Sequence, residues 1–108
     1  MIHSFIINGN FWMALYDEKV VGTISLKNLG NNTGMIKGMY VHRDYRNKKI
    51  ASKLMDMLLE FAMEYEYKEL VLDTYDKFEL AIEFYKKRGF VLKEKDKDRY
   101  IFSKILKK

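Results

Sequence analysis

The chain has no cysteine, no proline, only two histidines and no long apolar run. Without cysteine there are no disulfides and no thiolate chemistry, which fits a cytoplasmic protein. His3 and His42 are too few for a histidine-based metal site and no carboxylate cluster supports them, so no metal is expected. No stretch approaches the roughly 20 apolar residues that span a bilayer, so no membrane partner is expected either. Met1 to Asn8 lacks a basic leader and a long apolar core, which argues against a secretory signal. The lack of proline, beside many Lys, Asn and Ile, reads as genome composition and excludes nothing. Linkers, repeats and low-complexity segments are also missing, so residues 1–108 read as one domain.

What is present suffices for a core. Hydrophobic residues make up 48% of the chain, and a domain of this size buries roughly two-thirds of its unfolded surface. The seven methionines read as gap-fillers in that core. The formal net charge is +5, but 15 acidic residues are interleaved with 20 basic ones, so most of the surface is mixed. A pI near 9.3 permits nucleic acid as a partner. The aromatic residues do not interleave with the basic ones as a single-strand platform requires, so no nucleic-acid partner is expected.

The positive charge is concentrated. Residues 42 to 53 supply +4 of the +5: Arg43, Arg46, Lys48, Lys49 and Lys53 against Asp44. The pattern there is a strand end, a short loop and the start of an amphipathic helix. Cations at a helix N-terminus oppose its dipole. A bound anion explains that arrangement, because free N–H groups at a helix start suit phosphate. The plain alternative is a solvated basic loop.

Phe11 to Tyr16 and Val20 to Lys27 read as strands of a hairpin turning at Asp17-Glu18-Lys19. Asn28 to Gly34 reads as a turn cluster, and Met35 to His42 as a third strand whose Gly38 marks a bulge or a close approach. From Asn47 to about Glu66 the period is helical, with Ile50, Leu54, Met57, Leu58, Phe61, Ala62 and Tyr65 on one face. Leu70 to Thr74 fits a buried parallel strand, which completes a βαβ unit. Asp76 reads as the N-cap of a second helix, with Glu79 completing a capping box. That helix carries Leu80, Ala81, Phe84 and Tyr85 on its apolar stripe, and Gly89 terminates it. Phe90 to Glu94 and Arg99 to Leu106 are the last strands. The order β-β-β-α-β-α-β-β predicts an α+β domain with a mixed sheet and helices on its faces.

That order, together with three segments, resembles the GNAT superfamily of acyl-CoA-dependent N-acetyltransferases over about residues 11 to 106. The segments are Met39-Tyr40-Val41-His42-Arg43-Asp44-Tyr45-Arg46, Ile50-Ala51-Ser52-Lys53-Leu54, and Ala81-Ile82-Glu83-Phe84-Tyr85-Lys86-Lys87-Arg88-Gly89-Phe90. The resemblance implies that acetyl-CoA lies between two splayed parallel strands. Its pantetheine would pair with backbone at Met39, Tyr40 and Val41. Its pyrophosphate would sit on Arg46, Asn47, Lys48, Lys49, Ile50 and Ala51. Ala81 and Tyr85 would line the cofactor, with Tyr85 the general acid that protonates the departing thiolate. An amine acceptor would attack the thioester directly, with no acyl-enzyme.

Four departures qualify the resemblance. Asn47 and Lys49 stand where the family has glycine, although a helical first turn is open to lysine. Phe78 stands where asparagine is common. The strand Met35 to Val41 carries no carboxylate base, leaving Asp73, Tyr75, His42, a water chain, or an amine that arrives neutral. Only Met1 to Asn10 precede the hairpin, room for one short strand at Phe5 to Ile7, where the family has a strand and helices. Phe11, Trp12 and Met13 are then expected to be exposed and covered in a homodimer. The alternative reading is a non-catalytic acyl-CoA-binding or protein-interaction module with a degenerate pyrophosphate loop.

Overall fold

The computed structural model describes residues 4–8 and 10–106, and the backbone alone for 4–8, 47 and 48. Two tight turns organise its first half. Asp17 and Glu18 both take positive φ (54° and 65°), as do Asn31 and Asn32 (55° and 62°). Each pair makes the two-residue, mirror-image turn whose twist matches flanking strands. The strands therefore run long: β2 is Phe11–Tyr16, β3 is Lys19–Gly30 and β4 is Thr33–Val41. The expected turn cluster at Asn28 to Gly34 shrinks to Asn31 and Asn32, since the ladder continues to Gly30 opposite Thr33. A leading strand, β1 (Ser4–Asn8), pairs antiparallel with β2 and is two residues longer than the expected Phe5 to Ile7.

A 3₁₀ helix over Arg43–Lys48 precedes helix α1 (Ile50–Glu64). The expected single helix from Asn47 is thus broken at Lys49, which sits left-handed at φ 61°. The other end of α1 closes cleanly. Glu66 takes φ 63°, the Tyr67 N–H bonds Ala62 O at 2.9 Å, and the Glu66 N–H bonds Met63 O at 3.1 Å. Those are the paired bonds of a Schellman end. Strand β5 (Glu69–Tyr75), helix α2 (Glu79–Lys87), and strands β6 (Val91–Asp96) and β7 (Arg99–Ile105) complete the chain. Helix α2 ends the same way as α1: Gly89 takes φ 91°, and the Phe90 N–H reaches Tyr85 O at 3.1 Å.

The start of α2 differs from expectation. Its N-cap is Phe78, with no side-chain capping bond. Asp76 does not cap the helix; its N–H is bonded to Asp98 O at 2.9 Å, tying it to the β6–β7 turn.

The sheet has seven strands in the order β1-β2-β3-β4-β5-β7-β6. Among the described residues only β4 and β5 pair in parallel; the other pairs are antiparallel. Both helices pack on one face. Helix α1 buries Ile50, Leu54, Met55, Leu58 and Ala62 against β2, β3 and β4. Gly22 permits this approach, because a Cβ there would lie 2.9 Å from Ile50 Cγ2. Tyr65, expected on the buried stripe, is 63% exposed, and Met55 is buried in its place. Trp12, expected to be exposed, is 1% exposed and meets Phe61 edge-on at 5.2 Å. Alternation along β2 puts Trp12 on the helix side and leaves Phe11 and Met13 on the other face. Leu72, Phe102 and Tyr85 extend the same core under α2.

The opposite face carries no helix among the described residues. Met13, Met35, Val71 and Ile101 lie there half-buried beside Thr23 and Ser25. Glu69 on that face accepts hydrogen bonds from Ser103 Oγ at 2.6 Å and Lys93 Nζ at 2.9 Å. These donors hold the Glu69 carboxyl below its usual range, Ser103 first and Lys93 next. Asp73 accepts from Arg99 Nε at 2.9 Å.

Candidate active site

Strands β4 and β5 pair over three residues only, Thr33 to Met35 against Glu69 to Val71. Beyond that point they part. The cause lies in β4: Tyr40 is opposite Thr23 and Lys37 opposite Ser25, so three steps on β4 match two on β3. The extra residue is a bulge at Gly38 and Met39, with Gly38 at φ 61°. A bulge bends its strand and ends regular pairing. The expectation at Gly38 holds.

The parting opens a groove of about 900 Å³. Met39, Tyr40 and Val41 line its β4 side, and Leu72 to Tyr75 its β5 side. Phe78, Leu80, Ala81, Phe84 and Tyr85 bring α2 across it. Arg46 and Ala51 stand where it meets α1. Most of its wall is apolar, and alternate peptide groups of Ile36 to Val41 have no strand partner on this side.

The end at α1 suits an anion. The first intrahelical bond runs from the Lys53 N–H to Lys49 O at 3.1 Å. The N–H groups of Ile50, Ala51 and Ser52 precede it, and α1 has neither a side-chain cap nor an acidic residue in its first turn. Arg46 is held in place by a bond from its Nε to Val41 O at 3.0 Å. His42, one of the candidate bases, caps the 3₁₀ helix: its Nδ1 accepts the Asp44 N–H at 3.1 Å. Lys49 corrects the sequence reading. It occupies a left-handed conformation, which glycine adopts freely and lysine does not. The Ile50 side chain is 1% exposed and belongs to the core, so only its backbone can serve a ligand. The Asn47 and Lys48 side chains fall outside the described residues.

Tyr85 is 9% exposed, its ring packed among Phe90 (6.1 Å) and Phe102 (6.5 Å), and it borders the groove. Burial raises its pKa, and the nearby Asp73 charge raises it further. The phenol therefore stays protonated at neutral pH, as a proton donor must. Asp73 and Glu79 are the carboxylates on the groove wall. Asp73 sits just past the fork, with one oxygen occupied by Arg99.

The structure thus brings together Met39, Tyr40, Val41, Arg46, Ala51, Ala81 and Tyr85. Sequence reasoning missed most of the β5 and α2 wall, namely Leu72, Thr74, Leu80 and Phe84. The available signal was the rule that open α/β sheets bind ligands beyond the carboxyl ends of parallel strands.

A mixed sheet split between two parallel strands, with a helix start at one end of the split and a buried tyrosine beneath it, is a scaffold suited to an extended ligand that carries an anionic group. The model of the Acetyltransferase (GNAT) family matches residues 4–90, and the chain belongs to that family. A probable N-acetyltransferase, camello, of Xenopus laevis is 32% identical over 92 residues, covering 82% of this chain and 42% of that protein. The chain thus spans about two-fifths of that relative's length. A GNAT-family acetyltransferase from Staphylococcus aureus Mu50 superposes with a TM-score of 0.82 at 34% identity, covering 90% of this chain and 67% of that one. PaiA N-acetyltransferase from Thermoplasma acidophilum, solved in complex with coenzyme A, gives 0.83 at 25% identity, covering 89% and 60%.

Proposed function

We propose that this chain, as one acyltransferase domain, transfers an acetyl group from acetyl-CoA directly to a primary amine of a small molecule or protein. The observation that carries the reading is the fork between β4 and β5, which opens onto the bare N-terminus of α1. Pantetheine adds along the free edge of β4 at Met39 to Val41, as an extra strand does. The pyrophosphate takes the N–H groups at the start of α1, with Arg46 beside it. The neutral amine attacks the thioester carbon, the C–N bond forms, and the C–S bond breaks. Tyr85 gives its proton to the leaving sulfur, and the amine nitrogen's surplus proton passes to water.

Calorimetric titration with acetyl-CoA, using desulfo-CoA and ADP as comparisons, tests this directly. Saturable micromolar binding, much tighter than ADP, is expected. No binding at millimolar ligand would remove the enzyme reading. Where an amine substrate turns over, Tyr85→Phe should lower kcat by about 100-fold or more, the usual scale for a general acid. An unchanged kcat would remove Tyr85 from that role.

A second reading, a non-catalytic acyl-CoA-binding or interaction module, draws on the absence of a carboxylate from β4 and the left-handed Lys49. Binding without turnover on any amine would favour it. A cytoplasmic location and a homodimer covering the open sheet face complete the proposal; sedimentation at micromolar concentration reads the latter.

A further inference from the structure

We propose that Thr23 and Ser25 are positioning residues for the cofactor, acting through the β4 bulge. The inference rests on the function proposed above. Thr23 Oγ1 donates to Gly38 O at 2.8 Å, and Ser25 Oγ donates to Lys37 O at 3.0 Å. Both hydroxyls come from β3, two residues apart, and so stand on the same face of the sheet. One of the carbonyls they hold, Gly38 O, belongs to the bulge, and the other, Lys37 O, comes directly before it.

The register explains why hydroxyls are needed. Between Thr23–Tyr40 and Ser25–Lys37 the ladder is out of step, with Ile24 facing both Gly38 and Met39. A bulge leaves backbone groups without their regular partners. Two side-chain donors from β3 tie down the carbonyls of Lys37 and Gly38 where the ladder is out of step. The Ser25 hydroxyl lies next to Gly38 with room to spare, since a Cβ there would meet its oxygen at an ordinary contact distance of 3.7 Å.

Fixing both peptide planes fixes the next one. Met39, Tyr40 and Val41 follow directly, and their groove-side backbone groups are those assigned to pantetheine. Without the hydroxyls the bulge can rotate about Gly38, whose φ of 61° is open to glycine in either sense. The free edge of β4 would then sample geometries that do not match an incoming strand. The cost falls on the pantetheine arm, because the pyrophosphate site stands on a different element, the start of α1.

That separation gives the test a readout that loss of stability does not mimic. Thr23→Val, Ser25→Ala and the double variant are titrated with acetyl-CoA and, separately, with ADP. The double variant should bind acetyl-CoA about tenfold more weakly, the scale of two lost hydrogen bonds. ADP affinity should stay within twofold. Thr23→Ser, which keeps the hydroxyl, should match the wild type. The single variants carry the test if the double variant does not fold. Unchanged acetyl-CoA affinity in the folded variants overturns the inference. So does an equal loss for acetyl-CoA and ADP, which marks a general structural effect. A wild type that binds no acetyl-CoA removes the proposed function itself, and this inference with it.

Discussion

The two edges of β4 differ sharply. Toward β3 it is paired from Gly30–Thr33 to Gly22–Val41, with interruptions only at bulges. Toward β5 it is paired for three residues and then stands alone. An unpaired strand edge is normally a liability, covered or blunted to prevent stray pairing. Here it borders the groove, whose other walls are β5 and α2. One edge carries the fold, and the other is left without a strand partner along the groove.

The closed end of the fork offers the largest break in that contrast. Gly34 sits within the three paired residues, and a Cβ there would lie 2.7 Å from Leu26 Cδ1 and 2.9 Å from Tyr67 Cε2. Gly34→Ala should destabilise the protein by about 1–3 kcal/mol, the range for overpacking. Chemical denaturation measures this, and an unchanged midpoint would show that the seam yields freely. At the open end, Lys49→Gly should raise stability by about 1 kcal/mol, because it relieves a left-handed lysine and accepts glycine's entropy cost. A fall in melting temperature would mean that the lysine side chain contributes more than its backbone conformation costs.

The smallest effect concerns the far half of the sheet, where Glu69 joins β5 to β7 and β6 through Ser103 and Lys93. Its pKa is lowered in the folded state, so the carboxylate form stabilises the fold. That contribution is present above its ordinary value of 4.5 and is lost as pH falls through that region. Glu69→Gln should cost no more than about 1 kcal/mol at pH 7, given a partly exposed pair. It should also flatten the acid limb of the stability profile. A mutant profile that keeps the wild-type slope below pH 4.5 would assign the acid sensitivity elsewhere.

Much of the fold was legible because its signals are local. The α1 period, the alternation of β2 and β3, and the glycine ending α2 each follow from neighbouring residues. The missed details have equally specific causes. Asp76 has the side chain of a cap, but a long-range bond to Asp98 O takes its backbone elsewhere. Trp12 looked exposed because its cover is distant in sequence: α1 arrives from much later in the chain to bury it. Tyr85 could be placed on the apolar stripe of α2 from spacing alone, but not beside Asp73.

The sequence alone determined the element types, their order, the basic loop before α1 and the residues resembling the family's signature. These depend on contacts within a few positions of each other. Tertiary structure alone decided where β4 and β5 part, which face the helices cover, and that Lys49 would be left-handed. Those outcomes depend on strand register and on packing between distant segments: Thr23 and Ser25 against the Gly38 bulge, and Ile50 against Gly22. A linear pattern does not record which distant residues will meet.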